Sequence, residues 1–443
     1  MDDSLLHDLI TAATKAGADA ADAVLAHRQS LSIGVRMNAL EEVEREEARD
    51  LGLRVFVGKR QAVVSGSDIS KAARTKLVER AVAMARLAPE DPYASLADPD
   101  LLAKAPHRDL DLYDTTEPSP ESLETLARTA EASALSTQGV TNSDGGSAAW
   151  SSTQWQFMTS AGFYGQHKSS GFSISASVIA GEGAQMERGG EGRSTRWQSD
   201  LPEASEVGFD AGRRAVARLG ARKIASTTAP VIFENRLAIS LFGPLIGAIS
   251  GPSVARGVSF LKDRLGQKVF APGLRISDDP FRLRGLGSSP FDDEGVAGQA
   301  LDLVSDGVLN TWLLNTASAR QLGMTSTGHA SRSMAGAPGV STNNLTVHPG
   351  SRDLDGLMQD AKAGLLVTSM FGPSLNPNTG DWSIGVSGVW FEDGQAAYPV
   401  TEITVAGNLI ELYARLVPGS DLEIRGAANA PSVLIDAMAI AGL

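Results

Sequence analysis

The amino-terminal part of the chain carries helical and extended patterns of apolar residues in turn. Leucine, isoleucine and alanine recur at helical spacing over residues 4–16, and Gly17 ends that pattern. A second helix is predicted over residues 69–87. Runs in which apolar and polar residues roughly alternate predict strands at residues 23–28, 31–37, 51–57 and 61–65. This order of elements predicts an α+β unit over residues 1–88, with helices covering one face of its sheet.

The middle of the chain repeats this arrangement after a linker. Residues 89–120 are rich in Pro, Asp and Ala, which predicts a surface linker. Helical patterns then occupy residues 121–135 and 204–219, and strand patterns occupy residues 148–160 and 171–179. We therefore expect a second helix-and-sheet unit over residues 121–227 that packs on the first and extends its sheet.

The pattern changes again beyond residue 228. Long loops of Gly, Pro and Ser separate short strands, and Asp-Gly pairs predict hairpin turns at residues 306–307 and 393–394. A nearly uninterrupted apolar run over residues 237–249 predicts one buried helix. The expected fold is α+β, in which a mixed helix/sheet region precedes a β-rich carboxy-terminal domain, residues 228–443, with one buried helix.

Charge and composition exclude several classes of function. A net charge of -13 argues against direct binding of nucleic acid, because phosphate contacts require clustered Lys and Arg. The densest basic stretch, residues 213–223, is predicted to be the solvent face of a helix. The longest apolar run is shorter than the roughly 20 residues that span a bilayer, so no membrane segment is expected. The acidic start of the chain and the absence of Cys favour a cytoplasmic protein.

The residue types also speak against a zinc-dependent active site in this chain. A catalytic zinc ion needs about three ligands drawn from His, Cys, Asp and Glu. The chain has 6 His and 0 Cys. No two histidines have the spacing of a zinc-binding helix, and none is followed by Glu. The histidines are His7, His27, His107, His167, His329 and His348.

Five short motifs in the second half of the chain identify a family. They are FDDEG at residues 291–295, LVSDGVL at 303–309, TGDWS at 379–383, AGNL at 406–409 and PGSDL at 418–422. Through these motifs in this order the chain resembles the TldD/PmbA family, also called TldD/TldE and catalogued as modulators of DNA gyrase. The acidic composition gives no physical support to a gyrase role that requires direct DNA binding.

The resemblance implies a pair of homologous subunits, one of which is a zinc peptidase that cleaves unfolded peptides. In TldD-like proteins a helix carries His-Glu-x-x-x-His, and a cysteine from a late loop completes the zinc site. Those helix positions fall near Phe242, Gly243 and Gly247, and the late loop corresponds to residues 424–431. None of these residues supplies a zinc ligand or a base. The chain is therefore most similar to the TldE/PmbA type, the metal-free partner.

Two polar regions remain as candidates for function. Asp292, Asp293 and Glu294 are consecutive, and adjacent carboxylates on an extended backbone point to opposite faces, so we expect them to form a hydrogen-bonded turn. The family frame places a wall of the substrate channel near a second polar region. The candidates for peptide contact there are His329, Arg332, Thr342, Asn343 and Asn344. Each of these residues also suits a structural role in a loop.

These observations lead to an expected function with two alternatives. The chain is expected to be a non-catalytic subunit of a two-component cytosolic metalloprotease that acts on unfolded peptides. It would hold no cofactor itself, would pair with a zinc-bearing TldD-like subunit, and would form a homodimer in isolation. One alternative is a stand-alone peptidase with a carboxylate metal site, for which the acidic triplet is the only candidate. The other is a homodimeric peptide- or protein-binding module without catalysis.

Overall fold

The computed structural model describes residues 4–443, and its first half is built on one antiparallel sheet of strand order β3-β2-β1-β4-β5-β6. The elements are α1 (Ser4–Lys15), β1 (Ala20–Arg36), β2 (Ala39–Val57), β3 (Arg60–Gly66), α2 (Lys71–Leu87), α3 (Pro120–Leu135), β4 (Val140–Thr159), β5 (Tyr164–Ala180), β6 (Glu187–Thr195) and α4 (Ala204–Val216). Strand β1 pairs with β4, so the second helix-and-sheet unit extends the sheet of the first, as expected.

The sheet has two faces with different partners. Helices α1 and α2 pack on one end of the first face, over Ala23 and Leu53, and α3 and α4 pack on the other end, over Ile33. Side chains on the opposite face, such as Val24, lie against residues of the carboxy-terminal region, including Phe291. This contact brings polar residues of β1 and β2 next to polar residues of the carboxy-terminal region.

The strand predictions were wrong in two respects: two of the predicted runs belong to a single strand, and another run is only part of a longer strand. Runs 23–28 and 31–37 are both parts of β1, which continues through the polar residues between them. Run 51–57 is only the second half of β2. Its first half contains EEVEREEARD, which has no alternation because both of its faces are largely exposed to solvent.

The segment 89–120 is more than a surface linker. Leu110 and Leu112 are buried, and so is Asp114. The carboxylate of Asp114 accepts hydrogen bonds from the main-chain amides of Thr116 and Gln198, at 2.9 and 3.0 Å. The second half of this segment therefore packs on the central unit, although its composition predicts exposure.

The carboxy-terminal region is built around a second six-stranded sheet of order β16-β15-β14-β7-β18-β17, and a further pairing of β16 with β18 closes the sheet on itself. The strands of this sheet are β7 (Thr227–Phe233), β14 (Gly364–Leu375), β15 (Asp381–Glu392), β16 (Gln395–Asn408), β17 (Leu416–Pro418) and β18 (Val433–Ala441). The remaining elements are α5 (Asn235–Ala238), α6 (Gly243–Ala248), α7 (Gly251–Ala255), β8 (Ile276–Asp278), β9 (Leu301–Ser305), β10 (Val308–Leu309), α8 (Thr316–Gln321), β11 (Ala330–Ser331), β12 (Gly339–Val340), β13 (Leu345–Val347), α9 (Leu354–Ala361) and α10 (Leu409–Ala414). The hairpins predicted at the two Asp-Gly pairs are present. The predicted α+β class is confirmed.

The single buried helix predicted over residues 237–249 was wrong. The structure divides this region into α5, a 3-10 turn over Ile239–Leu241 and α6, and α7 follows directly. Proline lies in the first turn of both α6 and α7, where its missing amide hydrogen is tolerated, so each proline starts a new helix rather than continuing the last. Only one side of the region is buried, while Gly243 and Gly247 are exposed.

Within residues 4–443 no helix combines the length and the apolar composition that a bilayer span requires.

Candidate functional site

An aromatic cluster lies near the place where the resemblance puts the first residue of a zinc motif. Phe242 is buried, and its ring centroid lies 6.3 Å from those of both Phe270 and Tyr413. The rings of Phe270 and Tyr413 stack at 4.6 Å, and the Tyr413 hydroxyl donates a hydrogen bond to the carbonyl of Leu241 at 2.7 Å. The position that would carry a histidine therefore belongs to the apolar core in this chain.

The other two motif positions offer open space and no side chain. A β-carbon at Gly243 or Gly247 would meet no other atom within 4 Å. The late loop is held by its own residues instead of by a metal. Asn429 Oδ1 accepts hydrogen bonds from the amides of Arg425 and Gly426, at 2.7 and 3.0 Å, and the Arg425 side chain pairs with Glu191.

The donor set at these positions does not fit a zinc ion. A phenyl ring and two glycines provide no nitrogen, sulfur or carboxylate ligand. In the part of the chain that the structure describes, no group of three or more His, Asp or Glu side chains is arranged to hold a metal. No step of a reaction is therefore assigned to a metal in this chain.

The acidic triplet forms a turn whose carboxylates bind main-chain amides. Asp292 accepts hydrogen bonds from the amides of Glu294 and Val296, each at 2.9 Å, and from that of Ala330 at 3.0 Å. Asp293 accepts a hydrogen bond from the amide of Arg332 at 2.8 Å. The Glu294 carboxylate accepts one from the amide of Thr316, also at 2.8 Å. The three side chains point to different partners, so they do not converge on a common point.

Burial perturbs two of these carboxyl groups. Desolvation, with the adjacent Glu294 charge, raises the pKa of Asp292 to about 8, while the three amide donors oppose that rise. Desolvation also raises the pKa of Asp293 to about 6, against the lowering effect of the Arg332 amide and guanidinium. Asp292 is buried and Asp293 is half-buried, and main-chain amides of strand β11 and of the residue after it bind the two carboxyl groups.

His329 has a partner that the sequence does not reveal. Its side chain is fully buried, and Nε2 donates a hydrogen bond to Asp278 at 3.0 Å. Asn343 donates to the same carboxylate through its amide at 2.9 Å and its side-chain nitrogen at 3.0 Å. Asn344 is buried and donates to the Asp279 carbonyl at 2.6 Å, whereas Thr342 is half-buried. In this conformation His329 and Asn344 support loops and have no surface to offer a peptide.

Arg332 joins the two halves of the molecule through buried charges. Its Nη1 donates to Asp22 Oδ1 at 2.6 Å, and Arg54 Nε donates to Asp22 Oδ2 at the same distance. Arg54 also lies 3.6 Å from Glu294. We call these four residues the interdomain ion cluster. All four are buried, so Arg332 likewise has no surface available to a peptide in this conformation.

An open cleft lies between the central unit and the carboxy-terminal region, with a volume of about 520 Å³. One wall comes from β6 and from the end of α4 with the residues that follow it, and the other from the segment after β7 and from β14. Its charged lining residues are Arg188, Arg213, Arg214, Arg218, Arg236 and Glu234. We call it the arginine cleft.

The arginine cleft corrects the prediction for the basic stretch 213–223. Helix α4 ends at Val216, so the stretch is not one helix face. Arg214 is largely covered and pairs with the buried Glu191. The guanidinium of Arg222 stacks on the Tyr398 ring at 3.4 Å. Sequence reasoning missed the cleft because its two walls lie far apart in the chain.

A free strand edge borders this cleft. Strand β7 pairs in parallel with β14 only over residues 365–367, and β14 continues to Leu375 while pairing with β15 on its other side. The carbonyl of Thr368 accepts a hydrogen bond from Arg236 at 2.9 Å. Beyond it, no strand among the described residues covers this edge of β14. Ser369 and Met370 line the cleft.

Three consecutive segments match the domains of one metallopeptidase family. Residues 21–85 match PmbA/TldA metallopeptidase domain 1, residues 113–219 match the central domain and residues 226–442 match the C-terminal domain. The chain therefore belongs to the PmbA/TldD metallopeptidase family, which confirms the resemblance drawn from its motifs.

Individual relatives agree with this assignment. The chain is 38% identical to metalloprotease PmbA of Escherichia coli O157:H7 over 427 residues, which cover 96% of this chain and 92% of that protein. A crystal structure of a Bacteroides thetaiotaomicron protein assigned as a modulator of DNA gyrase matches with a TM-score of 0.92 and 26% identity, covering 99% of this chain and 98% of that one. TldE of Thermococcus kodakarensis shares the fold, with a TM-score of 0.87 at 20% identity and coverage of 99% and 100%.

Proposed function

We propose that this chain is the non-catalytic subunit of a two-component protease that degrades unfolded peptides in the cytoplasm. The proposal is supported by the residues near which the resemblance places the zinc motif, Phe242, Gly243 and Gly247, in a chain that belongs to the family. A buried ring and two open glycines cannot activate a water molecule. The partner would be a TldD-like subunit that supplies the zinc, the attacking water and the general base.

The contribution of this chain would be to hold the peptide. An extended peptide that pairs with a free strand edge gains main-chain hydrogen bonds regardless of its sequence, which suits a protease for unfolded substrates. The open edge of β14 beyond Thr368 borders the arginine cleft and supplies such a site. Three consecutive β14 residues, 368–370, line the cleft, which corresponds to about 10 Å of extended chain.

The printed name of the Escherichia coli relative, metalloprotease PmbA, supports a role in proteolysis but does not say which subunit carries the chemistry. The structure of this chain favours the partner for that role. The interdomain ion cluster and the acidic turn, which are the densest groups of carboxylates near the family motifs, are occupied by internal contacts. A stand-alone carboxylate metal site at Asp292 is therefore not favoured.

The test is a peptidase assay on an unfolded peptide with three samples. They contain this chain alone, a TldD-like subunit from the same organism alone, and the equimolar mixture, with elemental analysis for zinc on each. We expect zinc only where the TldD-like subunit is present, and faster cleavage in the mixture than with that subunit alone. Zinc-dependent cleavage by this chain alone would support a stand-alone peptidase. A mixture that neither associates nor changes the rate would favour a separate binding module.

A further inference from the structure

The arginine cleft is positively charged in a protein that is strongly acidic overall. Five arginines and one glutamate line it, whereas the whole chain has a net charge of -13. A concave surface with one sign of charge concentrates the opposite charge from solution. Each arginine has an acidic partner. Glu234, the partner of Arg236, lies in the lining itself, whereas the partners of the other four arginines are not among the lining residues, so guanidinium groups form most of the charged surface that a ligand meets.

The arginines at the rim retain hydrogen-bond donors. The side chain of Arg188 is 69% exposed and pairs through Nε with Asp144, and that of Arg213 is 64% exposed and pairs through Nη2 with Asp210. A guanidinium has five N–H donors in a planar fork, and each of these carboxylates engages one nitrogen. The remaining donors can bind a carboxylate in the bidentate geometry that arginine favours.

The deeper arginines are anchored and remain charged. Arg214 is 19% exposed and pairs with buried Glu191, which also pairs with Arg425 of the late loop. Desolvation, followed by repulsion from Arg236, lowers the pKa of Arg214 to about 10, so it stays protonated at neutral pH. The Nε atom of Arg236 is buried without a hydrogen-bond partner. The cleft thus has a fixed cationic base and a more mobile cationic rim.

The cleft is also continuous with the free edge of β14. Ser369 and Met370 belong to both, and the Arg236 side chain contacts the carbonyl of Thr368, which directly follows the last β14 residue that pairs with β7. A peptide lying along this edge would bring its end or a side chain within reach of the guanidinium groups of α4. Neutral peptides would gain only the main-chain contacts.

We propose that the arginine cleft is a carboxylate-binding subsite for an extended peptide on the β14 edge. This inference rests on the proposed peptide-holding function and specifies which peptides are held best. The carboxylate is supplied either by the carboxyl terminus of the peptide or by an Asp or Glu side chain. Both sources offer the planar, two-oxygen anion that a guanidinium fork matches.

The experiment compares the binding of three unlabelled unfolded peptides to the full-length chain by isothermal titration calorimetry at low and high salt. One peptide has a free terminal carboxylate and no acidic side chain. The second is the same peptide with an amidated terminus, and the third is amidated with one internal Asp. We expect the amidated neutral peptide to bind roughly 3- to 10-fold more weakly than at least one acidic form, and high salt to reduce the difference. The preferred acidic form identifies the source of the carboxylate.

Variants locate the effect in the cleft. Arg188→Gln and Arg213→Gln should each reduce the preference for the acidic peptide, because both side chains are exposed and no buried carboxylate depends on them. Arg352→Gln is the matched control, since this arginine is 61% exposed and pairs with Asp360 outside the cleft. Circular dichroism of each variant checks that the fold is unchanged.

The outcomes separate this inference from the proposed function. The carboxylate subsite would be overturned if all three peptides bound equally, or if the Arg352→Gln control also lost the preference for acidic peptides. In either case, cleavage by the mixture with a TldD-like subunit would still support the subunit role. A retained preference for acidic peptides without any effect on cleavage would support the subsite and contradict the subunit role. Failure of every peptide to bind would overturn the subsite.

Discussion

Replacing Arg332 by Met should strongly destabilise the protein, because it leaves a buried carboxylate with one cation fewer. Asp22 has a fully buried side chain and is held between Arg332 Nη1 and Arg54 Nε, each at 2.6 Å. Breaking a buried ion pair by removing one partner costs about 3–5 kcal/mol. Because Arg54 still neutralises Asp22 in the variant, we expect the lower end, about 3 kcal/mol.

The matched control is Arg352→Met, which removes an exposed arginine paired with Asp360. Exposed pairs contribute about 0–1 kcal/mol, so this variant should unfold close to the wild type. The assay is urea unfolding, monitored by circular dichroism and by tryptophan fluorescence. The free energies of unfolding are compared with the same dependence on urea concentration for each protein. The double variant Arg332→Met with Asp22→Asn should lose less free energy of unfolding than the two single variants lose together, because no charge is then left unpaired.

The pH dependence gives a second readout of the same cluster. Burial alone would raise the pKa of Asp22, but Arg54 and Arg332 lower it below its ordinary value. The folded state therefore gains stability from this group above about pH 4, and loses it as the pH falls through the lowered pKa. In Arg332→Met the pKa of Asp22 in the folded state should be higher, so less stability should be lost as the pH falls and the loss should end at a higher pH. The reasoning would be refuted if Arg332→Met stayed within about 1 kcal/mol of wild type and matched the exposed control.

Three further predictions concern other parts of the fold. Tyr413→Phe should cost about 1–3 kcal/mol in urea unfolding, because it leaves the buried carbonyl that accepts its 2.7 Å hydrogen bond without a donor. Gly208→Ala should lower the melting temperature markedly, because a β-carbon there would lie 1.9 Å from the carbonyl oxygen of Ala130. Gly247→Ala should stabilise its helix slightly, because a β-carbon there meets nothing within 4 Å. Equal changes in the melting temperature of the two variants would contradict the close contact between α4 and α3. Burial raises the pKa of Asp292 to about 8. The free energy of unfolding should therefore decrease as the pH rises from about 4 to about 8. This decrease should be shallower in Asp292→Asn.

Local patterns in the sequence predicted the elements whose burial is one-sided and continuous. Helices α2 and α3 were predicted within a few residues, because apolar residues recur along one face of each. The broken region over residues 237–249 was predicted as one helix, because its run of apolar residues outweighed the signal from its single proline, Pro244. The first half of β2 was missed because its charged residues face solvent on both sides.

The candidate site could be predicted only in part, because its residues meet through long-range contacts. The placement of a zinc motif near Phe242, Gly243 and Gly247 rests on the resemblance to the family alone. The partners of the candidate side chains could not be predicted, since Asp22 lies 310 positions from Arg332 and Asp278 lies 51 from His329. In the sequence the candidate polar residues look isolated, and only the fold shows which other polar residues most of them contact.

The central claim is that this chain shapes the peptide site while a zinc-bearing subunit performs the chemistry. The most direct test holds a TldD-like subunit from the same organism at constant concentration, adds this chain stepwise, and measures the initial rate of cleavage of an unfolded peptide. The account predicts no cleavage without the zinc-bearing subunit, and a rate that rises with added chain to a plateau at equal amounts of the two. A rate proportional to this chain in the absence of the zinc-bearing subunit, or one unaffected by its addition, would contradict the account.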